Sequence, residues 1–264
     1  MIKMLRQNIS EPMGNGVFES LRTYNGRIFK LQEHLQRFEQ SAKALNLILP
    51  PFKKIEKEIK KAIEKSDLRD VYIRISFSRE NGLIVIVKPL TVYPREYYEN
   101  GVEILTVPTQ RNIPQAIDAK IKCENFLGGI MAKIESRGAF EAILLNKDGY
   151  VTEGTVSNIF VVSHELRTRS SNYFSLVTPP SYLGVLEGIT RKVVMEIAEK
   201  LGIPVEEKPF TRYNIYTADE CFLTNTSMEI MPVTKVDARM IGAGNPGAIT
   251  CLLAQAFMVQ VLSI

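Results

Sequence analysis

The stretch from Glu141 to Val162, EAILLNKDGYVTEGTVSNIFVV, sets a carboxylate, Glu153, into otherwise apolar strands. AILL reads as one strand, Asn146 to Gly149 as a turn, YVTEG as a second strand and NIFVV as a third. Glu153 shares a face with Val151, where a charge is costly unless a cation meets it. The alternative is an edge-strand glutamate in water. Upstream, Lys120 and Lys122 stand between an irregular polar stretch and a helix whose apolar positions include Leu127, Ile130, Met131 and Ile134, with Gly138 as its C′ residue. A lysine, a helix and the Glu153 hairpin are therefore consecutive.

Two further segments could hold an anion. In SYLGVLEGITRKVVMEIAEKLG, Gly188 precedes a helix with Ile189, Val193, Ile197 and Leu201 at core spacing, closed by Gly202. Its start offers backbone N–H groups, the positive end of the dipole and the Thr190 hydroxyl, or is an ordinary glycine N-cap. In ADECFLTNTSMEIMPV a strand through Cys221 to Thr224 breaks into Asn225, Thr226 and Ser227, an anion nest or a self-satisfied turn.

The elements that must position these groups begin with GNGVFESLRTYNGRIFKL, two short strands around an Asn25-Gly26 turn. A helix follows with Leu31, Leu35, Phe38, Ala42 and Leu45 buried and with His34 and Arg37 on a neighbouring edge. Pro50-Pro51 separates it from a second helix, whose lysines and glutamates alternate around Phe52, Ile55, Ile59 and Ile63 as a solvated face. VYIRISFS alternates, with Val71, Ile73, Ile75 and Phe77 on one side and Tyr72, Arg74 and Ser76 on the other. That second face is open to solvent or walls a pocket for a carboxylate. GLIVIV is its hairpin partner, and KPLTVYPREYYENG reads as a linker. The expected organisation is a small α/β domain over 1–89, a linker over 90–98 and a larger domain over 99–264 that carries the lysine.

Length allows one large domain or two modest ones, and 33 basic against 29 acidic residues leave an interspersed net charge of +4, so nucleic acid is not an expected partner. Cys123, Cys221 and Cys251 are odd in number and unpatterned, which suits reduced thiols in the cytoplasm, and two histidines without a cysteine cluster argue against a classical zinc site. Nothing in MIKMLRQNISEP reads as an export signal, and the apolar C-terminal AITCLLAQAFMVQVLSI is expected to pack on the body or on a partner subunit rather than cross a membrane.

A lysine before a helix, a carboxylate in a strand, an arginine edge, a helix start with Thr190 and a Thr-Ser turn together match what pyridoxal phosphate requires. Its aldehyde needs an amine, its ring nitrogen a carboxylate, and its phosphate a helix start and cations. No GxxxxGK[ST] loop or strand-linked GxGxxG supports a nucleotide instead.

GNGVFESLRTYNGRIFKLQEHLQRFEQSAKAL, IKCENFLGGIMAKIESRGAFEAILLNKDGYVTEGTVSNIFVV, LEGITRKVVMEIAEKLGIPVEE and ADECFLTNTSMEIMPV resemble, in order, segments of the class IV, fold-type IV pyridoxal-phosphate aminotransferases. That family holds branched-chain aminotransferases, D-amino acid aminotransferases and 4-amino-4-deoxychorismate lyases. The likeness runs from about Gly14 to about Val236, and EGxxSN with LxGITR at this separation is its most specific part.

The resemblance implies Lys122, in K-x-x-N ending at Asn125, as the Schiff-base lysine, with Lys120 as the fallback. It places Glu153 on the pyridine nitrogen and Arg37, from H-x-x-R, on the phosphate, with Gly188, Ile189, Thr190 and Thr226 completing the phosphate cup and Ser157 and Asn158 nearby. Tyr72, Arg74 and Ser227 become candidates for the substrate carboxylate and Phe18 for its side chain. It further implies a small α/β domain and a larger pseudo-barrel domain, with the cofactor between them and the site completed across a homodimer. YIR over Tyr72 to Arg74 and the Thr226-Ser227 turn favour a branched-chain amino acid and a 2-oxo acid as substrates. SFSREN lacks the arginine and histidine two apart expected of the D-amino acid branch. The lyase, and a non-catalytic relic of the fold, are the rivals. Phe126 stands where many members have tyrosine, Asn15 where aspartate is common, and most of the first N-terminal hairpin is missing.

Overall fold

The computed structural model of the protein describes residues 16–164, 166 and 174–263, so Gly14 and Asn15 lie outside the described residues. The chain divides into two compact units, Met1–Val92 with Ile121–Phe126 and Val261–Ile264, and Tyr93–Lys120 with Leu127–Gln260.

The first unit contains β1 (Val17–Tyr24), β2 (Arg27–Ile28), α1 (Leu31–Ala44), α2 (Phe52–Ser66), β3 (Val71–Ser78) and β4 (Gly82–Pro89). Its sheet has the order β2-β1-β3-β4 and is antiparallel throughout. The Asn25-Gly26 turn forms because both residues take positive φ, which glycine and asparagine tolerate best. Strand alternation decides the core: Val17, Leu21, Ile73 and Ile75 meet Leu35 and Phe38 of α1 and Ile55 and Ile59 of α2. Each such buried side chain contributes about 1.5–3 kcal/mol. The lysine segment that the linear reading put in the second domain folds here instead. Val17 bridges to Cys123, the Phe18 N–H donates to the Lys122 carbonyl and the Glu124 N–H to the Gly16 carbonyl, so the segment runs along the end of β1.

The second unit begins where a plain linker was expected. Residues Arg95–Asn100 form a short helix, α3, begun by Pro94 and braced by an Arg95–Glu99 pair one turn apart at 2.6 Å. Its Tyr98 hydroxyl donates to the Met228 carbonyl at 3.3 Å, so half the connection is docked. Then follow β5 (Val102–Gln110), α4 (Leu127–Glu135), β6 (Glu141–Leu145), β7 (Val151–Gly154), β8 (Asn158–Ser163), β9 (Ser175–Thr178), α5 (Ile189–Lys200), β10 (Val205–Glu207), α6 (Arg212–Tyr216), β11 (Glu220–Asn225), β12 (Glu229–Val236), β13 (Arg239–Met240) and α7 (Ala248–Leu262).

The strands of this unit form one mixed sheet in the order β10-β9-β8-β11-β12-β5-β6-β7, with β13 on β12. The sheet curls into a half-barrel, because the Val151 N–H of edge strand β7 donates to the Phe210 carbonyl just after the opposite edge, β10. Its core collects Val102, Ile104, Ile143, Val151, Ile159, Val161, Leu223, Met231 and Val233. The three strands around Glu153 form as their pattern predicts. Helix α4 forms too, but it buries Gly129 and Ala132 and leaves Leu127, Met131 and Ile134 exposed, so its apolar stripe is not core. Among the described residues no helix is long and apolar enough to cross a membrane.

Candidate active site

In the first unit the predicted residues gather on two sides of β1. Phe18, Ser20 and Arg22 alternate with the core positions and pair in register with Ser76, Arg74 and Tyr72 of β3. The Lys122 ammonium lies 4.6 Å from the centre of the Phe18 ring, and the Arg74 guanidinium 3.9 Å from it. Arg74 also reaches the buried Glu124 at 3.5 Å, and the Tyr72 hydroxyl shares a 2.7 Å hydrogen bond with Ser20. The Lys122 N–H donates to the Ser41 hydroxyl of α1, which fixes its backbone. Phe126, in the position noted for tyrosine, lies against Phe18 at 6.1 Å between ring centres. Lys120 is a different kind of lysine: half-exposed, it pairs loosely with exposed Glu187 at 3.7 Å.

On the core-facing side of β1, Arg37 meets a carboxylate that sequence reasoning missed. Glu19, fully buried between Val17 and Leu21, takes both Nε and Nη2 of Arg37 at 2.6 and 2.8 Å. Burial alone would raise the Glu19 pKa, but the Arg37 guanidinium and then His34 outweigh it and hold the carboxyl well below its usual range. Burial lowers the His34 pKa, and Glu19 only partly offsets this, so the imidazole is neutral and its Nδ1–H donates to Glu19 at 2.7 Å. The signal for Glu19 was present in VFESLRTY, whose period of two puts it in line with Val17, Leu21 and Thr23.

In the second unit Glu153 is buried, not solvated. Its cation is Arg111, whose Nη2 lies 2.7 Å from Oε1. Oε2 accepts from the Leu186 N–H at 2.9 Å and the Asn158 side-chain amide at 3.1 Å. Arg111 Nε donates to the Gly184 carbonyl, and the Asn158 amide also donates to the Leu186 carbonyl. Glu153 is thus tied to the loop that leads into α5. Arg111 carries no periodic signal, since it sits in the irregular stretch after β5.

Ser157 and Asn158, the two polar residues of the EGxxSN segment, serve the protein itself. Ser157 donates its hydroxyl to buried Glu141, which also accepts from the Thr155 hydroxyl, so Glu141 shapes the turn between β7 and β8. A side chain at Gly154 would strike Ser157 Oγ at 2.1 Å, which is why glycine follows the carboxylate.

Gly188 is the N-cap of α5 and gives it no side-chain cap, which leaves the N–H groups of Ile189 and Thr190 at the positive end of the helix. A Cβ at Gly188 would fall 2.0 Å from Asn158 Oδ1, so the backbone approach is enforced. Arg191 of the GITR segment is turned inward to Thr178, Pro179 and Glu207 and fastens the helix. Thr226 and Ser227 lie in the turn between β11 and β12, where the Asn225 side chain accepts from the N–H groups of Ser227 and Met228.

Taken unit by unit, these groups are of the kinds that pyridoxal phosphate requires. They include a lysine amine among aromatic and cationic neighbours, a buried carboxylate held by fixed donors, and a helix start whose glycine admits no side chain.

Groups of this kind, carried by a curled mixed sheet in one unit and by a small α/β fold in the other, point to the pyridoxal-phosphate class of enzymes. The family model described as "Amino-transferase class IV" matches residues 16–236, and the chain belongs to the class IV aminotransferases. It is 36% identical over 260 residues to a provisionally named branched-chain-amino-acid aminotransferase of Methanocaldococcus jannaschii, covering 92% of this chain and 86% of that one. It is 32% identical over 265 residues to the D-alanine aminotransferase of Bacillus licheniformis, with 95% and 89% covered. Among solved structures, the branched-chain amino acid aminotransferase of Escherichia coli superposes with a TM-score of 0.85 at 29% identity, covering 94% of this chain and 86% of that one. Another branched-chain amino acid aminotransferase, solved with pyridoxamine 5'-phosphate, superposes with a TM-score of 0.84 at 31% identity and the same coverage, 94% and 86%.

Proposed function

We propose that the chain transfers an amino group between a branched-chain L-amino acid and a 2-oxo acid such as 2-oxoglutarate, with pyridoxal 5'-phosphate as cofactor. The carrying observation is the β1–β3 face, where Phe18, Tyr72 and Arg74 set an aromatic ring, a phenol and a guanidinium side by side. The D-amino acid reading lacks its basic pair. Arg79, which follows β3, donates to the Asn46 carbonyl instead, and no histidine accompanies it.

When bound, the cofactor supplies an aldehyde that accepts the amino group and a ring that takes up electrons. Lys122 is the amine that would bond the aldehyde and, once released, would take the proton from the substrate α-carbon and deliver it to the former aldehyde carbon. Glu153 keeps the ring nitrogen protonated, and its fixed donors hold the carboxylate in place. Arg37, with the backbone of Gly188 and Ile189, the hydroxyl of Thr190 and the turn at Thr226, takes the phosphate. Ser157 and Asn158 act behind that cup, through Glu141 and Leu186. Tyr72, Arg74 and Ser227 orient the substrate carboxylate, and Phe18 meets its side chain.

The exposed Leu127, Met131 and Ile134 of α4 support a homodimer, which light scattering on the purified chain tests against a monomer mass. Leucine turnover with 2-oxoglutarate, measured as glutamate formed, tests the activity. Pyruvate release from aminodeoxychorismate without glutamate would establish the lyase in its place.

A further inference from the structure

Glu19 occupies a core position of β1, where an apolar residue would be expected on stability grounds, since exchanging a buried ion pair for packed hydrocarbon is often neutral or favourable. What the carboxylate provides is geometry. It grips Arg37 through Nε and Nη2 and so fixes the guanidinium plane. His34, one turn earlier on α1, holds Oε2 at 2.7 Å and so fixes the carboxylate. One turn later on α1, Ser41 holds the backbone of Lys122. Helix α1 therefore orients the guanidinium and anchors the lysine segment together.

We propose that Glu19 is a positioning residue for Arg37, aiming it at the phosphate monoester of the cofactor, with His34 as its support. This rests on the assignment of Arg37 to the phosphate. Charge and geometry predict opposite signs. A nearby carboxylate repels a phosphate, so if Glu19 acted only through charge, Glu19→Gln would tighten phosphate binding. If it acts by aiming Arg37, Glu19→Gln weakens it. Glu19→Asp keeps the charge and withdraws the grip by one methylene, so it weakens binding only through geometry.

The test is equilibrium binding of pyridoxal 5'-phosphate and of pyridoxal, which lacks the phosphate, to the full chain freed of cofactor. Both variants should lose about ten-fold or more in affinity for pyridoxal 5'-phosphate, while pyridoxal binding changes by less than about two-fold. A merely structural role would move both ligands together, and that result, or an unchanged ratio in Glu19→Asp, overturns the proposal. Where Glu19→Gln does not fold, Glu19→Asp decides alone. Arg37→Ala separates the two levels. If it leaves the ratio of the two affinities unchanged, the phosphate assignment of Arg37 itself falls. If it collapses the ratio while Glu19→Asp does not, only the role of Glu19 falls.

Discussion

The two units each bury a carboxylate against an arginine, and the two pairs divide their labour in opposite ways. In the first, Glu19 is fully buried and grips Arg37 through two nitrogens, and the arginine is the group with a proposed ligand. In the second, Arg111 takes one oxygen of Glu153 and a backbone carbonyl, and the carboxylate has the proposed ligand. A buried ion pair costs desolvation on both partners, so neither is well explained as a source of stability. Each is better understood as one functional charge and one holder.

The comparison breaks most visibly at the chemistry itself. Lys122→Ala should lower transamination by roughly 10³-fold or more and abolish the borohydride-fixed cofactor label. A label that maps to Lys120 instead would reverse the assignment. Glu153→Gln should keep the cofactor bound, seen as retained colour, and slow turnover by roughly 10²-fold. An unchanged rate would remove Glu153 from the ring nitrogen.

Removing a holder should act on the fold as well. Arg111→Met strands Glu153 in a buried setting and should cost about 3 kcal/mol of stability, read from denaturant midpoints. Glu153→Gln combined with Arg111→Met should recover part of that loss, and a fully additive double variant would show that the two do not interact.

The first pair is also sensitive to pH. His34 is held below its ordinary value of 6.5 and Glu19 below its ordinary 4.5. In both cases the unfolded chain takes up the proton first. The stability is present in full above about pH 6.5, begins to fall as His34 of the unfolded chain protonates, and falls again below pH 4.5. Thermal midpoints across pH 4 to 8 should show this slope, and His34→Gln should flatten the part that starts near pH 6.5. The smallest effect belongs to Lys120→Ala, expected within about 0.5 kcal/mol of stability and near full activity, because its pair with Glu187 is exposed.

Local patterns carried most of the fold. The Asn25-Gly26 hairpin, the α1 stripe through Leu35 and Phe38, the alternation of β3, the glycine start of α5 and the three strands around Glu153 are set by neighbouring residues, and all form. The family followed from motif order. Periodicity located α4 but did not say which way its apolar residues face, and they turn outward; it took the segment from Arg95 for a linker, whereas Tyr98 docks on the carbonyl of Met228, distant in sequence.

By itself, then, the sequence determined which groups could do chemistry: the lysine, the strand carboxylate, the H-x-x-R arginine and the helix start. Only tertiary structure decided which charges answer one another. Glu153 meets Arg111 because parallel pairing of β5 with β6 brings the Arg111 N–H to the Leu145 carbonyl at the hairpin's edge. Glu19 meets Arg37 because α1 packs across the core face of β1. A residue's own neighbours set its strand or helix, but the partner of a buried charge comes from a distant segment, and burial is what makes that partner necessary.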